Sequence, residues 1–239
     1  MIYRVIVAII IFFIFCIPYI LFNYTESWWI KYMTNLLLKI LNFRNIKINN
    51  SELFKLIKKT DKKVVIIANH KSIFDVFVLL YGLQDIGFML SKNGGNMLPL
   101  INQIKKRSNS FFYEKGMAIP TLNEKIENRK ANDNIIVVFA DAMNPILPGY
   151  NIAPFKTGGF VGKFYILPIV IKYKNYTVDP TFRWFDGENP YIGFSKIALN
   201  DHIDVTLDVM DIQSCESNMS IEEYRDKVYN LMNKRYDEL

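Results

Sequence analysis

Two side chains five residues apart, His70 and Asp75, form the pair in this sequence best suited to acid–base chemistry. An imidazole changes charge near neutral pH, and a carboxylate that holds one ring nitrogen leaves the other nitrogen free to take a proton from a hydroxyl group. The apolar run Val64–Ala68 predicts a buried strand, so His70 follows a strand's carboxyl end, where open α/β sheets bind ligands. Ser72 predicts a helix cap with Asp75 at the capping-box position, which brings Asp75 back toward His70. The segment therefore predicts a general base.

The same segment also has a purely structural interpretation. Asn69 and His70 could serve only to satisfy backbone groups in a strand-to-helix turn. A serine followed three residues later by an aspartate is an ordinary way to begin a helix. Spacing does not separate the two interpretations, so the elements around the turn and the other polar segments become decisive.

Strand and helix patterns alternate along the chain after residue 49. Predicted strands cover residues 64–68, 86–90, 110–113, 135–139, 166–173 and 203–209. Predicted helices cover residues 51–59, 73–81, 97–106, 122–129, a segment after Gly158, and 221–236. Such alternation predicts an α/β fold with a mostly parallel sheet flanked by helices.

The amino-terminal part of the chain has the composition of a membrane anchor. Residues 5–22 are an apolar run about as long as a helix needs to cross a hydrocarbon core, and residues 30–43 predict an amphipathic helix on the membrane surface. We therefore expect an anchor of one or two helices at residues 1–48, a catalytic domain at 49–239, and localisation at a membrane. Whether the first helix spans or dips into the bilayer stays open, because basic residues flank both of its ends.

Charge and cysteine content narrow the range of partners. The net charge of +6 is spread along the chain without an arginine-rich stripe, so an anionic bilayer or an anionic substrate explains it better than nucleic acid does. Cys16 lies in the apolar run and Cys215 in a polar segment, so neither a disulfide nor a metal site is expected. The second histidine, His202, begins an alternating strand and is expected at the surface.

The stretch N-H-K-S-I-F-D at residues 69–75 resembles the first signature block of the glycerolipid acyltransferases, an N-H-x-x-x-x-D pattern after an apolar strand. The resemblance implies a glycerol-3-phosphate acyltransferase-like fold. It also implies that His70 and Asp75 are catalytic and that Asn69 and Ser72 belong to the substrate-binding surroundings.

Two later segments resemble further blocks of the same family. F-Y-E-K at residues 112–115 resembles the second block, whose basic residue holds the acceptor's phosphate, so Glu114 and Lys115 are expected to bind substrate. P-F-K-T-G resembles a P-F-K-x-G segment, in which Lys156 and Gly158 are expected to bind substrate. A lysine followed by glycine offers a charge and unobstructed backbone N–H groups to a phosphate.

The third block departs from the family pattern. Family members have F-P-E-G-T-R after an apolar strand, whereas residues 139–144 are F-A-D-A-M-N. Asp141 keeps a carboxylate and is expected to bind substrate, while Ala140, Ala142 and Asn144 replace proline, glycine and arginine. Loss of the arginine removes a phosphate ligand, so the identity of the acceptor stays open.

The resemblance implies a membrane-bound O-acyltransferase that works without a cofactor. It would move a fatty acyl group from acyl-CoA or an acyl carrier protein to the hydroxyl of a lysophospholipid, with lysophosphatidate giving phosphatidate as the first expectation. One alternative is an acyltransferase of the same fold with a different glycerolipid acceptor. The other is a non-catalytic member that binds lipid or shapes membranes.

Overall fold

The computed structural model describes residues 27–91, 110–113, 117–141, 146, 148–182 and 190–239. The helices are α1 (Ser27–Ile40), α2 (Ser51–Lys58), α3 (Asp75–Leu83), α4 (Ala118–Glu127), α5 (Pro190–Ala198) and α6 (Ile221–Glu238). The strands are β1 (Phe43–Asn49), β2 (Val64–Ala68), β3 (Ile86–Ser91), β4 (Phe111–Tyr113), β5 (Ile135–Phe139), β6 (Tyr165–Lys174) and β7 (Ile203–Val209). A single turn of 3-10 helix covers Thr157–Gly159.

These strands form one sheet in the order β1-β7-β6-β2-β5-β3-β4. Neighbouring strands pair in parallel, except that β7 runs antiparallel to β6. β2 lies between β6 and β5, and all of its residues are buried. The arrangement confirms the mostly parallel α/β sheet that the sequence predicts. It also places the turn that follows β2 in the middle of one edge of the sheet.

Both faces of the sheet are covered, as the continuous apolar runs of its strands require. Val64, Ile66 and Ala68 of β2 belong to a core that includes apolar side chains of α1 and α3. Val65 and Ile67 belong to a second core, which includes side chains of α4 and α6. The strand that leads to His70 is therefore fixed from both sides by close packing.

The structure contains a strand and a helix that the sequence analysis does not predict. β1 lies largely within the segment assigned to the anchor and pairs in parallel with β7. Its sequence F-R-N-I-K-I-N carries polar residues because β1 is an edge strand, and most of its residues are exposed or half-buried. α5 is the second addition. The prediction of a helix after Gly158 is wrong, because the structure forms only the 3-10 turn Thr157–Gly159 at this point.

The helix predicted at residues 30–43 is present as α1, but its apolar side faces the domain. Leu37 and Leu38 are buried in the core that also contains α3. This contact corrects the expectation that the apolar side lies on a membrane surface. The apolar run at 5–22 and the helix predicted at 97–106 lie outside the described residues. Among the helices that the structure describes, none is long and apolar enough to cross a membrane.

Candidate active site

His70 and Asp75 meet at the carboxyl end of β2. His70 lies in the turn two residues after the strand, and Asp75 is the first residue of α3. The Nδ1 atom of His70 lies 2.8 Å from the Oδ2 atom of Asp75. Asp75 is fully buried, whereas the His70 side chain is 17% exposed. The pair thus has the geometry of a histidine held by a carboxylate, with the ring still reachable from outside.

Asp75 accepts hydrogen bonds from four donors. The backbone N–H groups of Lys71 and Ser72 donate to Oδ2 at 2.6 and 2.8 Å, beside the imidazole. The hydroxyl of Tyr173 donates to Oδ1 at 2.5 Å. A carboxylate surrounded by donors acts only as an acceptor, so Nδ1 of His70 carries the hydrogen in this contact. The Nε2 atom of the neutral ring is therefore the nitrogen that takes up a proton.

An aromatic ring from β5 fixes the plane of the imidazole. Phe139 stacks on His70 with ring centroids 4.1 Å apart and planes at 16°. Phe139 is the residue paired with Ala68 across the β2–β5 ladder, so the sheet register itself brings the two rings together. The imidazole is consequently held at one edge by Asp75 and on one face by Phe139.

Asp141 contacts the same turn from the end of β5. Its Oδ2 atom accepts the backbone N–H of His70 at 2.8 Å. The side chain is buried, and Oδ1 has no hydrogen-bond partner within the described part of the chain. Burial raises the pKa of Asp141 from 3.8 to about 7, although the neighbouring His70 opposes this shift. Asp141 therefore changes its protonation state near neutral pH, directly beside the candidate base.

This raised pKa predicts a pH-dependent stability difference for Asp141→Asn. Folded Asp141 holds its proton more tightly than the unfolded chain, so its stabilising contribution is present below about pH 4 and is lost as the pH rises toward 7. Asparagine has no such titration and keeps an oxygen for the His70 N–H. We expect the unfolding free energy of the wild type minus that of the variant to fall by about 4 kcal/mol between roughly pH 4 and pH 8. Urea denaturation of both proteins across this range measures the difference, and parallel curves would contradict it.

Asn69 and Ser72, both predicted in the substrate-binding surroundings, are fully buried. The side-chain amide of Asn69 donates to the carbonyl of Ile171 at 2.9 Å, and its oxygen accepts the N–H of Ile171 at 2.7 Å. The Ser72 hydroxyl accepts the N–H of Phe74 at 3.3 Å. Because α3 begins at Asp75, Ser72 is not its cap, although the Ser72 N–H does bond to Asp75 as in a capping box. Contact of Asn69 or Ser72 with substrate stays a prediction.

The P-F-K-T-G segment lies beside the third block. The N–H of Lys156 donates to the carbonyl of Ala140 at 2.8 Å, and the Lys156 side chain is exposed. Gly158 lies in the 3-10 turn, and Gly159 packs so tightly there that an added Cβ would come within 2.9 Å of Ile67. The structure therefore brings this segment next to Asp141. Glu114, Lys115, Ala142 and Asn144 lie outside the described residues.

α6 is attached to the loop that precedes this segment. The hydroxyl of Tyr229 donates to the carbonyl of Ile152 at 2.9 Å, and the side-chain oxygen of Asn233 accepts the N–H of Ile152 at 3.1 Å. The ammonium of Lys71 bonds to the carbonyl of Asn151 in the same loop. The carboxyl-terminal helix thereby fixes one side of the candidate site. Within the described residues, no three His, Cys, Asp or Glu side chains come together as a metal site would require.

Tyr173 is a residue at this site that sequence reasoning missed, as it missed the stacking of Phe139 on His70. Tyr173 lies 98 positions after Asp75 and belongs to no recognisable block. A signal existed, because a tyrosine within a strand of apolar residues needs a hydrogen-bond partner for its buried hydroxyl. That signal indicates that the hydroxyl has a hydrogen-bond partner, but it does not identify the partner as Asp75.

The mostly parallel sheet and the contact of His70 with Asp75 at the end of β2 agree with the class of protein that the sequence blocks imply, an acyltransferase. The sequence profile of the Acyltransferase family matches residues 45–172, more than half of the chain, so this protein belongs to the acyltransferase family. The match confirms the family that the sequence blocks indicate.

One sequence relative and one solved structure are similar to this chain. The 1-acyl-sn-glycerol-3-phosphate acyltransferase of Saccharomyces cerevisiae is 28% identical over 132 residues, which cover 52% of this chain and 44% of that protein. The chain thus spans less than half of the length of this relative. The crystal structure of the 1-acyl-sn-glycerophosphate (LPA) acyltransferase PlsC from Thermotoga maritima has a TM-score of 0.67 at 17% identity, with 98% of this chain and 95% of that one covered. At this identity the similarity shows a shared fold.

Proposed function

We propose that this protein is a membrane-bound O-acyltransferase that moves a fatty acyl group from a thioester to the hydroxyl of a lysophospholipid. The donor is acyl-CoA or an acyl carrier protein, and the preferred acceptor is lysophosphatidate, which becomes phosphatidate. The observation that carries the proposal is the contact of His70 with buried Asp75, 2.8 Å long, on a sheet of the acyltransferase family. The yeast relative is a 1-acyl-sn-glycerol-3-phosphate acyltransferase, which supports the choice of acceptor.

In the proposed acyl transfer, the imidazole of His70 first accepts one proton and later donates it. Nε2 of His70 takes the proton of the acceptor hydroxyl while its oxygen attacks the thioester carbonyl and forms the new C–O bond. The C–S bond then breaks, and the leaving thiolate takes the proton back from the imidazolium, which gives an ester and a free thiol. Asp75 fixes the orientation of the ring and stabilises the imidazolium between these steps. The acceptor is the nucleophile, so no acyl-enzyme intermediate is required.

Two further features support a lipid substrate. Residues 5–22 have the length and apolarity of a membrane helix and would hold the domain where lipid substrates reside. Lys156 is exposed on the segment that bonds to the third block, beside Asp141, and is suited to an anionic head group. In this proposal Lys115 contributes a second charge to the same group.

A panel of acceptors tests this assignment. The purified protein in phospholipid vesicles receives one acyl-CoA together with lysophosphatidate, glycerol 3-phosphate, a lysophospholipid without a terminal phosphate, or lysocardiolipin. We expect lysophosphatidate to react faster by roughly tenfold or more, the equivalent of one hydrogen bond to a charged group. Release of free CoA measures the rate. A higher rate with another acceptor would transfer the assignment to that acceptor.

The third block is the observation that favours an acceptor other than lysophosphatidate. Asn144 stands where related sequences have an arginine that binds phosphate, and an asparagine cannot replace its charge or its paired donors.

A non-catalytic lipid-binding role makes a different prediction for the same panel. It would give vesicle binding without CoA release, and replacing His70 would leave that binding unchanged.

A further inference from the structure

Tyr173 reaches the candidate site from the carboxyl end of β6. Its hydroxyl oxygen lies 2.5 Å from Oδ1 of Asp75, and both residues are buried. The other carboxylate oxygen, Oδ2, receives His70 and the two backbone N–H groups of the turn. Oδ2 of Asp75 therefore accepts its hydrogen bonds from the turn after β2, whereas Oδ1 accepts one from β6.

Tyr173 must be the donor in this contact. Burial raises the pKa of Tyr173 well above its ordinary value of 10, and the neighbouring Asp75 carboxylate adds to this effect. The phenol consequently keeps its proton across the range in which enzymes work, and it serves neither as a base nor as a nucleophile. What remains for the hydroxyl is to donate a charge-assisted hydrogen bond to a carboxylate.

The ring of Tyr173 is itself held in place. Phe43 of β1 lies edge-on to it, with ring centroids 6.3 Å apart and planes at 67°. Phe43 also contacts Phe74, the residue just before Asp75, at 6.2 Å. A donor locked by packing loses little rotational freedom when it forms its hydrogen bond, so its geometry is imposed on the acceptor.

We propose that Tyr173 is a positioning residue that orients the Asp75 carboxylate so that Oδ2 stays on the Nδ1 side of His70. This inference rests on the proposed function, because it assigns Tyr173 a role in the same proton transfer. Tyr173 does not touch the substrate in this scheme. It acts through Asp75, and Asp75 acts through the imidazole.

Tyr173→Phe tests the inference with almost no change in volume. The variant leaves Oδ1 of Asp75 without the donor that β6 supplies. We expect kcat to fall roughly 10- to 100-fold, the range of one hydrogen bond to a charged group, with little change in KM. A decrease confined to KM would contradict a positioning role, because it would indicate lost substrate contact.

Tyr224→Phe is the matched control. Tyr224 is fully buried, and its hydroxyl bonds to the carbonyls of Phe164 and Gln213 at the opposite end of β6. The same loss of one oxygen from a buried tyrosine should lower the urea midpoint but leave kcat of the folded protein unchanged. Equal losses of kcat in the two variants would reduce the role of Tyr173 to general stability and overturn the proposal.

A spectroscopic measurement separates this inference from the assigned activity. The chain has two histidines, so protein labelled with ¹⁵N-histidine gives two sets of ring signals, and His202→Ala identifies those of His70. We expect Tyr173→Phe to move the Nδ1–H proton resonance of His70, while Tyr224→Phe leaves it in place. The measurement requires no turnover, so it stands even if every acceptor in the panel fails. A His70 resonance that does not move in Tyr173→Phe would overturn the proposal, whether or not the protein turns over any acceptor.

Discussion

His70→Ala should lower kcat for acyl transfer by roughly 10³-fold or more while the protein stays folded. The imidazole is the group with a proton-accepting nitrogen at the end of β2, and Asp75 cannot replace it because that carboxylate is buried and occupied by donors. The His70 side chain is partly exposed, so its removal leaves no large cavity. Free CoA release with the best acceptor measures the loss, and thermal unfolding by circular dichroism monitors the fold.

His202→Ala is the control for this experiment. His202 is the other histidine of the chain, its side chain is 43% exposed, and its Nε2 lies 2.8 Å from Asp204. This variant should retain the wild-type rate. Full transfer activity in His70→Ala would remove the general-base assignment, whatever the result for His202.

Asp75→Asn should have the second largest effect, a decrease in kcat of roughly 10³- to 10⁴-fold. If the amide oxygen keeps the backbone N–H groups of Lys71 and Ser72, the NH₂ group faces the Tyr173 hydroxyl, which must turn from donor to acceptor. In this orientation the charge that stabilises the imidazolium is lost. If the amide turns over, its N–H donates to Nδ1 of His70 and the hydrogen of the ring moves to Nε2. In that tautomer Nε2 cannot take a proton from the acceptor.

The same substitution should also destabilise the fold by about 2–4 kcal/mol, because a buried carboxylate with four donors loses its charge. Asp208→Asn provides a matched control. Asp208 is a buried carboxylate on β7 that bonds to Asn49 and Arg235, away from the His70 pair. Urea denaturation should show losses in both variants, whereas kcat should collapse only for Asp75→Asn. Retention of kcat by Asp75→Asn would exclude the tautomer argument.

The sequence predicts the interior strands of the sheet well because their patterns are local. β2, β5 and β7 have the predicted bounds: β2 and β5 are continuous apolar runs, and β7 alternates apolar with polar residues. β1 is different. Its pairing with β7 satisfies the backbone, but one exposed side lets it carry arginine, asparagine and lysine, so no local pattern separates it from a loop.

In the candidate site, too, the local contacts were predictable from sequence and the contacts between distant segments were not. The contact between His70 and Asp75 was predictable because both residues lie in one turn, whose geometry is local. The contacts of Tyr173 with Asp75 and of Asp141 with the His70 N–H join residues 98 and 71 positions apart. Those contacts depend on strand order and register. A spacing rule within one segment contains no information about either.

The length of β6 makes the hydrogen bond between Tyr173 and Asp75 depend on strand alignment. β6 continues past Ile169, the partner of Ala68 at the end of β2, and the Asn69 amide bonds to Ile171 in this overhang. Tyr173 lies two residues further along and shares the face of α3. A shift of β6 by one residue would turn the phenol to the face of α6. A sheet misaligned by a single residue would therefore lose the hydrogen bond from Tyr173 to Asp75. We expect it to show the same roughly 10- to 100-fold loss of kcat as Tyr173→Phe, although the local contact of His70 with Asp75 could still form.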